Sequence, residues 1–198
     1  MRKNMPIIPR EEYGARWKMV QKMMKEKNLD LFFAYSDDHA TFGPAYTRWL
    51  GNFPTHFESA AVMMTIDKDP ALLTGPESVG YALDIGFFED IYILEEFTHP
   101  NEDFLYSEII SLREAVSKNM DLAAVKRIGI AGMDIMGSES YLKFKEAFTE
   151  AEWIDIDYDT AVLRARKTEA EKAVMKYAYE LAHRGMLAAI DNIEAGVS

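Results

Sequence analysis

Between positions 46 and 58 the sequence interleaves Tyr46, Trp49, Phe53 and Phe57 with Arg48 and His56. Rigid aromatic faces beside a guanidinium and an imidazole are materials for recognition, with area to bury and heads that donate hydrogen bonds or sit over rings. Tyr46, Arg48, Trp49 and His56 are therefore the candidate binding residues. The plainer alternative is that these aromatics pack beneath their own loop.

Other clusters carry less. Asp37-Asp38-His39 follows a short apolar run, the place where α/β sheets keep functional residues, as an ion- or substrate-binding loop would, but adjacent side chains diverge and solvated turn residues are the better account. Asp155-x-Asp157-x-Asp159 imitates the start of a calcium loop, yet the required glycine position holds Thr160 and the closing glutamate position holds Arg166, so a calcium site is rejected. Gly129-x-x-Gly132 does not make a dinucleotide fingerprint and reads as a tight strand exit. There is no G-x-S-x-G, and His39, His56, His99 and His183 have no partner recognisable from spacing. His183 falls in the final helix, on its polar side or against a neighbouring domain, and His99-Pro100 reads as a loop. No catalytic residue and no metal ligand is assigned in this chain. The complete lack of cysteine removes disulfides, thiolate zinc sites, iron–sulfur clusters and cysteine nucleophiles.

The elements that would position these residues follow from periodicity. Residues 10–27 carry Tyr13, Trp17, Val20, Met23 and Met24 at helical spacing behind Pro9, which predicts an amphipathic helix ending at Asn28. Residues 29–35 (LDLFFAY) form a nearly continuous apolar run, the pattern of a strand covered on both faces. The segment 36–54, rich in turn formers, reads as a loop. Residues 59–66 and 71–74 read as antiparallel strands joined by a turn through Asp69-Pro70. Thereafter a helix is expected at 76–85, a strand at 91–94, a helix at 104–118, a strand at 127–131, a helix at 138–148 and a strand at 153–156. Alternation of this kind after a hairpin implies a mixed sheet with helices on both faces. Residues 167–194 form a long helical pattern, with Thr168 and Glu171 as a capping box and Ala173, Tyr177, Leu181, Met186 and Ile190 among its apolar positions, closing in a turn at Gly196-Val197-Ser198. The pairs Met23-Met24 and Met63-Met64 read as core filler.

Composition sets the outer limits. A chain of 198 residues that is 48% hydrophobic is long enough for one well-formed core and lacks the signature of disorder. Its net charge of −11 and the lack of any Lys/Arg cluster along the sequence argue against a nucleic-acid partner. Apolar runs such as 60–66 fall far short of the roughly 20 residues of a membrane helix, and residues 1–10 have no hydrophobic signal core. A cytoplasmic protein is the expectation. Residues 166–198 carry five basic and five acidic side chains, so the whole net charge belongs to 1–165. That shift marks a domain boundary.

Several short motifs, taken in order, resemble the amino-terminal domain of the creatinase, prolidase and aminopeptidase P family. They are Arg16-Trp17 followed by Asn28-Leu29-Asp30; the loop Tyr46-Thr47-Arg48-Trp49-Leu50-Gly51-Asn52-Phe53, similar to "Y-L-T-G-F" with an insertion; the hairpin 60–74; and Leu163-Arg164-Ala165-Arg166-Lys167-Thr168-Glu169-Ala170-Glu171, similar to "L-R-x-I-K-S-x-x-E". The resemblance implies a three-layer α/β/α unit of ribonuclease-H-like shape over 1–165, with 166–198 the linker and first helix of a pita-bread catalytic domain lying beyond the chain. It implies two divalent ions (Mn, Co or Zn) in that further domain, held by two Asp, one His and two Glu, and none in residues 1–198. Expected partners are the chain's own catalytic domain, a second copy in a homodimer, and a small peptide or other small-molecule substrate.

The resemblance also gives Tyr46, Arg48, Trp49 and His56 a substrate-gating role, with Trp49→Ala expected to leave folding nearly intact while altering kinetics. Thr55-His56-Phe57-Glu58 lacks the arginine of creatinase-like members, which argues against creatine as substrate. The alternative function is a free-standing α/β interaction module without enzymatic activity.

Overall fold

The computed structural model of the chain describes residues 5–99 and 103–196. Val197 and Ser198 of the expected closing turn, and Pro100 of the expected loop, lie outside the described residues.

The first helix, α1 (Arg10–Lys27), buries Tyr13, Arg16, Val20, Met23 and Met24, the three- and four-residue steps of one helical face. It stops because Asn28 takes the left-handed conformation at φ 54°, which asparagine tolerates better than most residues. The chain then enters β1 (Leu31–Ser36), an interior strand of a seven-stranded sheet, with a neighbour on each side. The remaining strands are β2 (Ala60–Met64), β3 (Ala71–Thr74), β4 (Asp90–Leu94), β5 (Ile109–Ile110), β6 (Arg127–Ala131) and β7 (Glu152–Asp155), in spatial order β5-β4-β3-β2-β1-β6-β7. β1–β2 and β2–β3 pair antiparallel, and the other neighbours pair parallel, so the sheet is mixed as expected. Asp30 fixes one register: its carboxylate accepts the N–H groups of Lys126 and Arg127 at 2.9 and 2.8 Å, locking the start of β6 beside β1.

The period-two geometry of strands divides the core in two. Leu31, Phe33, Tyr35, Ala61, Met63 and Leu73 point to one face, where they meet α4 (Leu112–Ser117) and Phe144 of α5 (Ser138–Ala147). Phe32, Ala34, Val62, Met64 and Leu72 point to the other, against α1, α2 (Ala45–Gly51) and Ala82 of α3 (Val79–Ile85). Both members of each methionine pair are buried in these clusters. The result is a three-layer α/β/α fold.

Three expectations are corrected. The segment 36–54 is not all loop, because Ser36 ends β1 and residues 45–51 form α2. The helix expected at 104–118 is shorter, beginning only at Leu112, where Ser111 caps it by accepting the Glu114 N–H, while Ile109–Ile110 pair as the edge strand β5. Residues 157–165, read as carrying no element, form α6 (Asp157–Ala165). The final helix α7 (Glu169–Asp191) is present with its capping box formed by Thr168 and Glu171, and it has no buried residue.

Candidate functional site

The antiparallel registers set Ser36, Ala60 and Thr74 side by side, so the end of β1, the start of β2 and the end of β3 share one edge of the sheet. The segments leaving that edge build the candidate site, at the carboxyl ends of the parallel strands where open α/β sheets bind ligands.

Helix α2 is the first wall. Ser36 Oγ accepts the N–H of Thr47 at 3.1 Å, fixing the helix to the strand end. The helical period then turns Tyr46, Trp49 and Leu50 inward and leaves Arg48 exposed. Gly51 allows the helix to close down, since a Cβ there would lie 2.0 Å from the Phe88 ring. The last carbonyls of α2, orphaned at a helix end, receive donors from α1: Arg16 Nη1 to Trp49 O and Trp17 Nε1 to Leu50 O, both 2.7 Å.

Tyr46 and Trp49 are each 8% exposed. The Tyr46 hydroxyl donates to Asp157 Oδ1 at 2.9 Å, and its ring lies 4.8 Å below the Arg164 guanidinium. Burial, reinforced by the charge and hydrogen bond of Asp157, pushes the Tyr46 phenol well above the usual tyrosine range, against the opposing pull of Arg164. The indole of Trp49 lies 5.8 Å from the guanidinium carbon of the buried Arg16, which also sits 4.7 Å over the Tyr13 ring. The expectation that Trp49→Ala leaves folding nearly intact is therefore corrected: the side chain is core.

The second wall is the turn 54–58. Asp38 Oδ2 accepts the Phe57 N–H at 2.9 Å and faces His56 Nδ1 at 3.1 Å. The Phe57 N–H, helped by the nearby positive charge available to His56 and His39, holds the Asp38 carboxyl below the usual carboxylate range despite partial burial. Phe57 occupies the left-handed region at φ 67°, a strained place for an aromatic residue, and its ring packs 4.0 Å from the imidazole of His56 while remaining 73% exposed. Below this turn Glu58 is buried and accepts the N–H groups of Glu77 and Ser78 at 3.1 and 2.9 Å. Gly75 makes room for it, because a Cβ there would lie 2.2 Å from Glu58 Oε1.

Between these walls lies an open cleft of about 540 Å³, lined by Asp38, Arg48, His56, Phe57, Glu77 and Tyr81 among others. Of the four candidate residues, Arg48 and His56 present their heads to this cleft, whereas Tyr46 and Trp49 hold the helix that carries Arg48. The cleft offers cationic and acidic heads over an aromatic floor, which is binding chemistry. Among the described residues no group of three or more His, Asp or Glu side chains is placed to hold a metal ion. The two divalent ions implied by the family resemblance do not fit these residues.

The remaining motifs resolve into structural roles. Asp37 is buried and accepts the His39 N–H at 3.2 Å, a local turn. Asp155 Oδ1 accepts the Asp157 N–H at 2.9 Å at the start of α6, Asp157 accepts the N–H groups of Gly132 and Met133 at 2.5 and 3.1 Å, and Asp159 pairs with Lys27 at 2.9 Å. Each of the three carboxylates has its own partners, and they form no calcium loop. Gly132, at φ +91°, turns the chain sharply out of β6, as a tight strand exit requires. The sequence offered Asp38 within Asp37-Asp38-His39 as a possible binding loop, and gave no site role to Glu58, Arg16 or Asp157. A signal for Arg16 was available, since it falls three residues after Tyr13 and four before Val20 on the buried face of α1.

A sheet of this order, clad on both faces and bearing its cleft where β1, β2 and β3 meet, defines a three-layer α/β domain. The family model for the Creatinase/Prolidase N-terminal domain matches residues 16–166, and the chain belongs to that family. Among solved structures it is similar to the prolidase of Pyrococcus horikoshii (14% identity, TM-score 0.66, covering 92% of this chain and 44% of that one). It is similar to the X-Pro aminopeptidase of Thermotoga maritima (17%, TM-score 0.65, 92% and 45%) and to a proline dipeptidase of Streptococcus pneumoniae (15%, TM-score 0.56, 76% and 98%). The chain thus spans less than half the length of the first two. No match was found among curated proteins.

Proposed function

We propose that residues 1–165 are the recognition domain of a hydrolase that cleaves C–N bonds, with the Xaa-Pro peptide bond as its target. Residues 166–198 are then the linker and first helix of a catalytic domain that supplies two divalent ions and the attacking water. The observation that carries this reading is α7: it is anchored to the domain at its first turn and exposes Met175, Tyr179, Met186 and Ile190 on one face. An apolar helical face of that length needs a cover. The end of the family match at residue 166, and neighbours named for action on X-Pro peptides, support the same reading.

In this proposal Arg48 and His56 gate the substrate, reaching from one subunit of a homodimer over the pocket of the other, and Tyr46 and Trp49 act by holding α2. Residues 1–198 alone contribute no reacting group. The test is kinetic, in the product of the gene read past codon 198. Arg48→Ala and His56→Ala are expected to raise KM or lower kcat for Xaa-Pro dipeptides while leaving the melting temperature unchanged, and unaltered kinetics in both would remove the gating role. A stop codon after 198 would instead favour the free-standing interaction module.

A further inference from the structure

We propose that a second cleft, between α2 and the first turns of α7, is a binding site for small carboxylates carrying an apolar body, with Arg48, Arg164 and Lys167 as the groups that hold the anion. The cleft has a volume of about 410 Å³, within the range of small-molecule sites. Trp49, Phe42, Val174 and Met175 give it an apolar wall.

Its charge is what selects the ligand. Four cationic side chains, Arg16, Arg48, Arg164 and Lys167, line it against a single acid, Glu171. Both oxygens of that acid are already engaged, Oε1 by Arg16 Nη2 at 3.1 Å and Oε2 by the Thr168 N–H at 2.8 Å. Arg16 is 3% exposed and spends its remaining contacts on Trp49 O and Glu12. Arg164 lies over the Tyr46 ring, and Lys167 Nζ donates to the Arg164 carbonyl. Among the described residues neither of these nor Arg48 forms an ion pair. In a chain of net charge −11, three uncompensated cations therefore converge on one concave surface. Low-dielectric walls focus such a field on an entering anion, and guanidinium–carboxylate bonds are among the stronger hydrogen bonds available. The aromatic and aliphatic wall requires that the anion carry an apolar portion. Phosphates and sugars lack one.

The site shares Arg48 with the Xaa-Pro reading and Met175 with the α7 face that reading covers, but its test reads binding to the 198-residue chain alone, so the two can fail separately. The experiment titrates that chain with 4-phenylbutyrate and with 4-phenylbutanamide, its uncharged counterpart. Calorimetry reads affinity, and the indole 1H–15N resonances of Trp49 and of Trp153, which packs on the opposite face of the sheet, read location. Saturable binding of the acid that shifts Trp49 and not Trp153, with the amide at least about tenfold weaker, is expected. Arg48→Gln and Lys167→Gln, both at exposed positions, should each weaken the acid about tenfold with an unchanged melting temperature. Equal affinity for acid and amide, no binding up to about 10 mM, or variants that bind like the parent would overturn the proposal.

Discussion

Helices α1 and α7 are both long and amphipathic, with 18 and 23 residues, yet α1 buries five side chains and α7 buries none. The difference is in what lies opposite each helix. The face of α1 meets the Phe32, Ala34, Val62 and Met64 side of the sheet. That of α7 is tied to the domain by hydrogen bonds at its first turn, where Thr168 Oγ1 donates to Glu12 Oε2 at 2.9 Å and Glu171 Oε1 accepts from Arg16 Nη2 at 3.1 Å. Helix α2 repeats the contrast within seven residues, with Trp49 turned in and Arg48 turned out. Amphipathic pattern reports that a face will be covered. Only packing reports by what.

The comparison breaks most visibly at α2. Trp49→Ala is expected to cost about 3–5 kcal/mol in urea unfolding, through the cavity and the loss of contacts to Arg16, whereas Arg48→Ala should stay within about 0.5 kcal/mol. Similar losses in both would mean that α2 does not divide as described. Between the long helices, Met24→Ala should cost about 2–5 kcal/mol and Met186→Ala in the same 198-residue chain about 0.5 kcal/mol or less.

Arg16→Ala sharpens the junction. It removes donors to Trp49 O, Glu12 and Glu171, and about 2 kcal/mol is expected because the two carboxylates left behind keep some access to water. Thr168→Ala should cost about 1 kcal/mol of helix α7 stability by removing the capping-box acceptor, read as faster amide exchange in its first turn while the sheet is unaffected.

The smallest effects are in the pH dependence, and the two sites have opposite signs. The Asp38 carboxyl is held below its ordinary value, so its contribution is present above the unfolded value of about 3.9 and is lost as pH falls through the folded value. Burial holds Glu96 above its ordinary value in spite of the Leu112 N–H it accepts, so the native state retains that proton longer. Stability then declines as pH rises from about 4.3 through the folded value. Melting curves of Asp38→Asn should lack part of the acid-limb loss. Those of Glu96→Gln should lack the decline. Identical acid limbs in parent and variants would remove both assignments.

Much of the fold was legible from pattern. The 3.6-residue spacing over 10–27, the apolar run of β1 and the turn between β2 and β3 each point to one structure, because local preference and burial agree there. Helix α2 was hidden because Gly43, Pro44 and Pro54 dominate its surroundings and seven residues give barely two turns of periodicity. Helix α6 was hidden because the alternating aspartates at 155–159 drew notice as an imitation calcium loop, whereas Asp155 ends β7 and its carboxylate accepts the Asp157 N–H at the helix start. The two-residue strand β5 has too short a pattern to recognise. At the site, composition picked out the segment 46–58, but an aromatic side chain fits a core as well as a surface, and it took the packing against Arg16 and Asp157 to separate Tyr46 and Trp49 from Arg48 and His56. Arg16 and Glu171 are 155 positions apart, a distance that no local pattern spans.

The proposal that α7 packs on a further domain is tested most directly by native-state hydrogen exchange. In the 198-residue chain, amides of α7 beyond its first turn should exchange with little protection while those of β1 and β2 exchange only on global unfolding. In the product of the gene read past codon 198, the same α7 amides should become protected to the level of a folded core. Full protection of α7 in the shorter chain, or none in the longer product, would contradict the account.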